Sequence, residues 1–150
     1  LDQVTQLTSP SPGFLRPASS DDRYLVEQWG YAYGDEKPSF LNVHDFLLGK
    51  LDSGELYFWD DMNPRTMITT SGNDMNARRI SSVFTPREFR GKGYATTGVT
   101  ATSQLLLDQG AEYVVLTAGL GEPASRIYKR IGFSPVGERQ SFIINAPDKE

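Results

Sequence analysis

The residues most able to do chemistry lie in the run Val83-Phe84-Thr85-Pro86-Arg87-Glu88-Phe89-Arg90-Gly91-Lys92-Gly93-Tyr94-Ala95-Thr96. An apolar strand over Ile80 to Thr85 runs into Pro86, which cannot donate to a ladder and so ends it. Gly91 and Gly93 flank Lys92, with Arg87 and Arg90 close by, and helical periodicity follows at once. Glycine lets a backbone turn tightly and approach a ligand, while a helix N-terminus presents unpaired N–H groups and a positive dipole end. The chemistry implied is the grip of a phosphate or pyrophosphate.

Spacing separates the designs that could own such a loop. A Walker-type loop needs Ser or Thr directly after Gly-Lys to hold magnesium, and here Gly93 follows Lys92. A dinucleotide fingerprint needs a third glycine and an acid closing the next strand; here Thr96 and Ala118 stand instead. The remaining pattern, Arg/Gln-x-x-Gly-x-Gly/Ala, is met by Arg90, Gly93 and Ala95. Further along, Ala124-Ser125-Arg126-Ile127-Tyr128-Lys129-Arg130-Ile131-Gly132-Phe133 places one phenol on the face of a short helix. A phenol of pKa ~10 can protonate a thiolate whose thiol has pKa ~8.5 without being ionised itself at neutral pH. Periodicity alone also allows Tyr128 to be one more core aromatic.

Both runs have a family likeness. The first resembles the coenzyme A pyrophosphate loop of the GNAT superfamily of N-acetyltransferases. The second is similar to that family's Ala-x-x-x-Tyr-x-x-x-Gly-Phe signature, and Phe14-Leu15-Arg16-Pro17-Ala18 resembles its opening strand. The likeness covers roughly residues 14–145. It implies acetyl-CoA, or another acyl-CoA, as co-substrate and an amine as acceptor. It also implies a mostly antiparallel mixed α/β sheet, splayed in a V between Ile80–Thr85 and Tyr113–Thr117 and flanked by about four helices. Val83, Phe84 and Thr85 would meet the pantetheine arm, and Arg90, Gly91, Lys92, Gly93, Tyr94, Ala95 and Thr96 the pyrophosphate. Ser125 and Lys129 would help to hold the cofactor, and Tyr128 would serve as acid.

Two departures qualify the likeness. Gly121 stands where related acetyltransferases carry Asn, with Ala124 in place of Ser. The strand Ile-Ser-Ser-Val-Phe-Thr also lacks the carboxylate that many relatives use as base. Ser82, Glu55, Asp74 or a water relay are left as alternatives. A non-catalytic acyl-CoA-binding module of the same fold is therefore the competing expectation.

The remaining sequence must position these groups. At 150 residues the chain reads as one domain over 14–150 behind an extended Ser-Pro-rich lead-in, 1–13. Ser19 or Ser20 caps a helix with Leu25, Trp29, Ala32 and Tyr33 on its apolar face, and an aromatic loop follows over Gly30 to Phe40. Trp29, Tyr31 and Tyr33 are the candidate acceptor wall. Asn42 caps a second helix, on which His44 lies off the apolar stripe and is expected to be exposed. Leu56–Trp59 and Thr66–Thr70 form a hairpin across an acidic turn. Tyr113–Thr117 reads as a strand buried on both faces, Pro123 starts a helix, and Phe133–Val136 with Gln140–Ile144 closes on a last hairpin.

Composition narrows the classes. The chain has no cysteine and one histidine, which removes thiolate chemistry and multi-histidine metal sites. A net charge of −4 argues against nucleic acid as main partner. No apolar run approaches the ~18 residues of a membrane span, and no signal-peptide pattern is present. A cytoplasmic monomer or homodimer without a metal is the expectation.

Overall fold

The computed structural model describes residues 1–36, 42–72, 76–118 and 123–138. Five strands form one sheet in chain order: β1 (Phe14–Pro17), β2 (Leu56–Asp60), β3 (Pro64–Ser71), β4 (Ala77–Phe84) and β5 (Tyr113–Leu116). The first three pairings are antiparallel, and β4 pairs with β5 in parallel. Four α-helices accompany them: α1 (Arg23–Glu36), α2 (Val43–Asp52), α3 (Tyr94–Asp108) and α4 (Pro123–Ile131). This is the splayed mixed sheet expected from the sequence.

Alternation along the strands builds one core on each face of the sheet. Ile68 and Ile80 point towards Val99 and Leu106 of α3, Val114 and Ile131. Met67, Phe58 and Phe84 point the other way, towards Val26 of α1 and Leu47 and Leu51 of α2. Close approach of α3 depends on Gly98: a Cβ there would lie 2.8 Å from Ile68 Cδ1.

Several expectations need correction. α1 runs on to Glu36, so Tyr31 and Tyr33 sit on a helix rather than in a loop; Phe40 lies outside the described residues. Val26 and Gly30 are the buried positions of α1, and Ala32 is exposed. The apolar stripe is thus rotated by about one position, because a buried glycine leaves no mark on a hydrophobicity pattern. His44 is only half-exposed, since the Tyr31 ring stacks on it at 4.6 Å. β5 is not buried on both faces, as Tyr113 is 43% exposed. Phe133 to Val136 forms no strand, and its intended partner Gln140–Ile144 lies outside the described residues.

Residues 1–13 have no regular structure, yet they are bound into the molecule. Val4 is buried in the α3-side core. The Thr5 N–H donates to the Ile131 carbonyl at 2.8 Å, and Val114 N–H to Leu1 at 2.7 Å. Ser11 reaches the loop before α3.

Arg16 ties β1 to the start of α1 and to the β2–β3 turn. Its guanidinium donates to both carboxylate oxygens of Asp22 (2.8 and 2.9 Å) and to Asp60 at 2.8 Å. Those bonds from Arg16 hold the Asp22 carboxyl below its ordinary value of 3.8 despite partial burial. A carboxyl depressed in the folded state contributes stability that is fully present above its unfolded pKa and is lost as pH falls through the folded value. Asp22→Asn is expected to lower stability by about 1.5–3 kcal/mol near neutral pH, the range for a hydrogen bond to a charged group. Urea titrations at descending pH should show the gap to the wild type closing below pH 3.8. A gap that persists unchanged there would show that the carboxylate charge is not the cause.

Candidate functional site

The site begins with a break in pairing. β4 meets β5 only from Ala77↔Tyr113 to Ile80↔Leu116, whereas it continues along β3 to Phe84. A bulge marks the point of departure: Thr70 pairs with Ile80 and Thr69 with Ser82, which leaves Ser81 as the extra residue. Bulges bend a strand and increase its twist, so Ser82 to Phe84 swing off β5 and leave one edge of β4 unpaired by it. The bulged Ser81 hydroxyl is held by Ser71 at 2.6 Å.

Past Phe84 the chain enters the loop. Thr85 is pinned by Thr66 through a hydroxyl pair at 2.8 Å, and a 3-10 turn spans Arg87–Phe89. Gly91 and Gly93 both take left-handed conformations, with φ of 77° and 79°, which side chains disfavour. No protein atom would lie within 4 Å of a Cβ on Gly91, whereas one on Gly93 would meet Ser11 Oγ at 2.9 Å. Ser11 Oγ itself donates to the Lys92 carbonyl at 2.7 Å, and its N–H donates to Thr97 Oγ1 at 2.9 Å. The first intrahelical bond of α3 runs from the Thr97 N–H to the Gly93 carbonyl at 3.0 Å. The amides of Tyr94, Ala95 and Thr96 precede it and have no acceptor within the helix.

Side chains around the loop differ from the simple cationic cradle. Arg90 donates to the Thr85 carbonyl at 2.8 Å and to Glu36 Oε2 at 2.6 Å; Arg87 donates to Glu36 Oε1 at 3.1 Å. One carboxylate at the end of α1 thus holds two arginines. Hydrogen bonding from Arg90, then from Arg87, keeps Glu36 below the usual carboxylate range against a small opposing effect of burial. Lys92 is exposed. Tyr94 is buried, and its hydroxyl donates to Asp61 at 2.6 Å, a bond that raises the phenol's pKa. Its ring belongs to the scaffold, and only its N–H faces the loop's task. Asp60 and Asp61, the acidic turn, are accordingly taken by Arg16 and Tyr94. Among the described residues no group of acids and histidine is arranged to hold a metal ion.

On the α3 side, Tyr128 is half-buried and packs against the same core as Val83 and Leu116, with the Phe133 ring edge-on at 6.1 Å. Ser125 is half-buried one helical turn before Tyr128, and Lys129 is exposed. On the opposite face, Trp29 meets Phe58 and Phe84 edge-on at 5.5 and 6.0 Å, and Tyr33 lies 5.2 Å from Phe84. Trp29 and Phe84 also wall a cavity of about 370 Å³. Tyr31, on His44, stands apart from them. The opening beside β4 therefore has a phenol-bearing helix on one face and an aromatic pocket on the other. Glu36, Asp61 and Ser11, which organise the loop, carry no motif, and no spacing rule would have singled them out.

Comparison with known proteins agrees with this geometry. Residues 73–142 match the family described as FR47-like protein. No curated protein matches the chain in sequence. A GCN5-related N-acetyltransferase from Ralstonia eutropha JMP134 superposes with a TM-score of 0.65 at 22% identity, covering 87% of this chain and 97% of its own. An aminoglycoside N-acetyltransferase, AAC(6')-Iy, in complex with CoA gives 0.64 at 15%, covering 93% and 99%. A transcriptional regulator from Bacillus halodurans C-125 gives 0.68 at 17%, covering 87% and 99%. The interrupted ladder, the double left-handed glycine turn into α3 and the FR47-like segment make this chain a member of the GNAT superfamily.

Proposed function

We propose that the protein is an acyl-CoA-dependent N-acyltransferase, most simply an acetyltransferase. The supporting observation is the continuity of the unpaired β4 edge with the left-handed Gly91–Gly93 turn and the amides of Tyr94 to Thr96. That path suits a carrier with a hydrogen-bonding amide arm and a diphosphate at one end. The residues present fit it: α3 offers backbone donors and dipole, Gly91 leaves open space, and Lys92 adds an exposed cation. Arg90 fits less directly, because Glu36 and Thr85 already hold it; it braces the loop and its charge acts at a distance. The aminoglycoside N-acetyltransferase of the same fold was crystallised with CoA, which supports the same reading.

Acyl-CoA supplies an activated thioester when bound. In the reaction a C–N bond forms between acceptor nitrogen and acyl carbon, the C–S bond breaks, and the nitrogen loses a proton while the sulfur gains one. Tyr128 is the residue suited to give the sulfur its proton. Val83, Phe84 and Thr85 orient the arm, and Ser125 and Lys129 flank the phenol along α4. The proton leaving nitrogen has no carboxylate on β4 to receive it. Glu55 is paired with Lys50 and Ser53, and Asp74 lies outside the described residues. Ser82, or water at the bulge, is left beside the acceptor, and an amine already neutral needs no stronger base. The missing carboxylate is also the observation that favours the second reading, a module that binds acyl-CoA without transfer.

Thermal melts with CoA and acetyl-CoA should show saturable stabilisation, since a ligand that binds only the folded state raises its melting point. No shift with either would remove the reading. Free-thiol release across an amine library then separates transfer from mere binding. Tyr128→Phe is expected to lower kcat on the order of 10²-fold or more while leaving the acetyl-CoA Kd within about twofold, as for loss of a general acid; unchanged turnover would remove that role. Gly93→Val forces a branched side chain into a left-handed position, at a cost of about 1–2 kcal/mol. It should weaken CoA binding tenfold or more by calorimetry, and unaltered affinity would disprove the part given to this turn.

A further inference from the structure

The cavity beside Phe84 has a composition that narrows the acceptor. Trp29, Phe84 and Pro86 supply apolar walls, and Asp35, Glu36 and Glu88 line it as well, against the single guanidinium of Arg87. Its volume of about 370 Å³ suits a small molecule or one side chain. The chain already seats its own cations here. The Arg90 guanidinium lies 5.9 Å over the Phe84 ring, and Glu36 accepts from both arginines. Glu36 is thereby neutralised, but among the described residues Asp35 and Glu88 have no ion-pair partner. Two carboxylates in excess at the mouth of an aromatic pocket form a cation site: the rings attract a cation through their faces, and the acids through charge.

Resting on the acyltransfer reading above, we propose that this pocket selects an acceptor bearing a second positive charge away from its reacting amine, such as a diamine, a polyamine or a basic peptide side chain. The cationic group sits between the Trp29–Phe84 walls and the Asp35 and Glu88 carboxylates. The reacting nitrogen points down β4 from Phe84 towards the bulge at Ser81 and Ser82. A neutral-tailed amine of the same length lacks both attractions. The site therefore discriminates by charge at the far end of the acceptor rather than by the nitrogen it acylates.

The test uses spermidine, 1,4-diaminobutane and butylamine as probes. Calorimetry with the wild-type protein should give saturable 1:1 binding of spermidine, weakening as salt is raised, and binding of butylamine at least tenfold weaker. Asp35→Asn/Glu88→Gln alters two exposed side chains and should lower spermidine affinity about tenfold or more. Asp2→Asn/Asp108→Asn, which removes the same charge far from the pocket, should leave the affinity unchanged. Equal losses in both double variants would overturn the proposal in favour of diffuse attraction to an acidic protein. Equal binding of spermidine and butylamine, or no effect of Asp35→Asn/Glu88→Gln, would overturn it too. Spermidine binding that follows this pattern without thiol release from acetyl-CoA would sink the transferase reading and leave the cation pocket standing. Thiol release with every amine alike would do the reverse.

Discussion

The structure turns on a parallel ladder that stops early. β4 could have paired with β5 along its whole length, and a sheet edge left bare is normally a liability. Instead the extra residue Ser81 twists β4 away after Ile80, while β3 keeps hold of it through Phe84. A hydrogen-bonding edge is thereby exposed inside the molecule rather than at its rim. Everything assigned to the site is placed relative to that opening. Val83 and Phe84 border it on opposite faces, the glycine turn lies at its far end, and α4 brings Tyr128 towards it from the α3 side.

Holding the opening in shape requires support from both faces. On one, Ile68, Ile80, Val99, Leu106, Val114 and Ile131 weld α3 and α4 to the sheet. On the other, Val26, Leu47, Phe58 and Phe84 do the same for α1 and α2. The loop between β4 and α3 cannot draw on either core, because its backbone must stay close to water and ligand. It is fixed by polar bonds instead: Arg90 to Thr85 and Glu36, Arg87 to Glu36, and Ser11 to Lys92 and Thr97. Exposed ion pairs are individually weak. Here their use is geometric, since the end of α1, the loop and the lead-in are registered against one another.

What could be read in the sequence was whatever leaves a local trace. Gly91 and Gly93 between basic residues, Pro86 after an apolar run and Pro123 before Ile127 and Ile131 are short-range signals, and the elements appear where they predict. The FR47-like match over residues 73–142 falls on that same half of the chain. Features that depend on distant partners were not legible. Arg87 and Arg90 looked like free cations until Glu36 was found between them, and Tyr94 looked like a loop residue until its ring and hydroxyl proved committed to Asp61. Tyr31 sits with His44 instead of joining Trp29, because α1 carries on through Glu36 and turns consecutive aromatics to different sides. The lead-in likewise gave no hint that Val4 is buried or that Ser11 meets the start of α3.

The central claim is that backbone N–H groups at the start of α3 hold a diphosphate. Amide NMR chemical shifts, followed while 3'-dephospho-CoA is titrated into the protein, test it most directly, since that molecule keeps the diphosphate and lacks the other phosphate. The account predicts saturating shifts at Gly91, Gly93, Tyr94, Ala95 and Thr96, with smaller ones at Val83 and Phe84. Saturable binding that moves other amides and leaves those of Gly93 to Thr96 unshifted would contradict it.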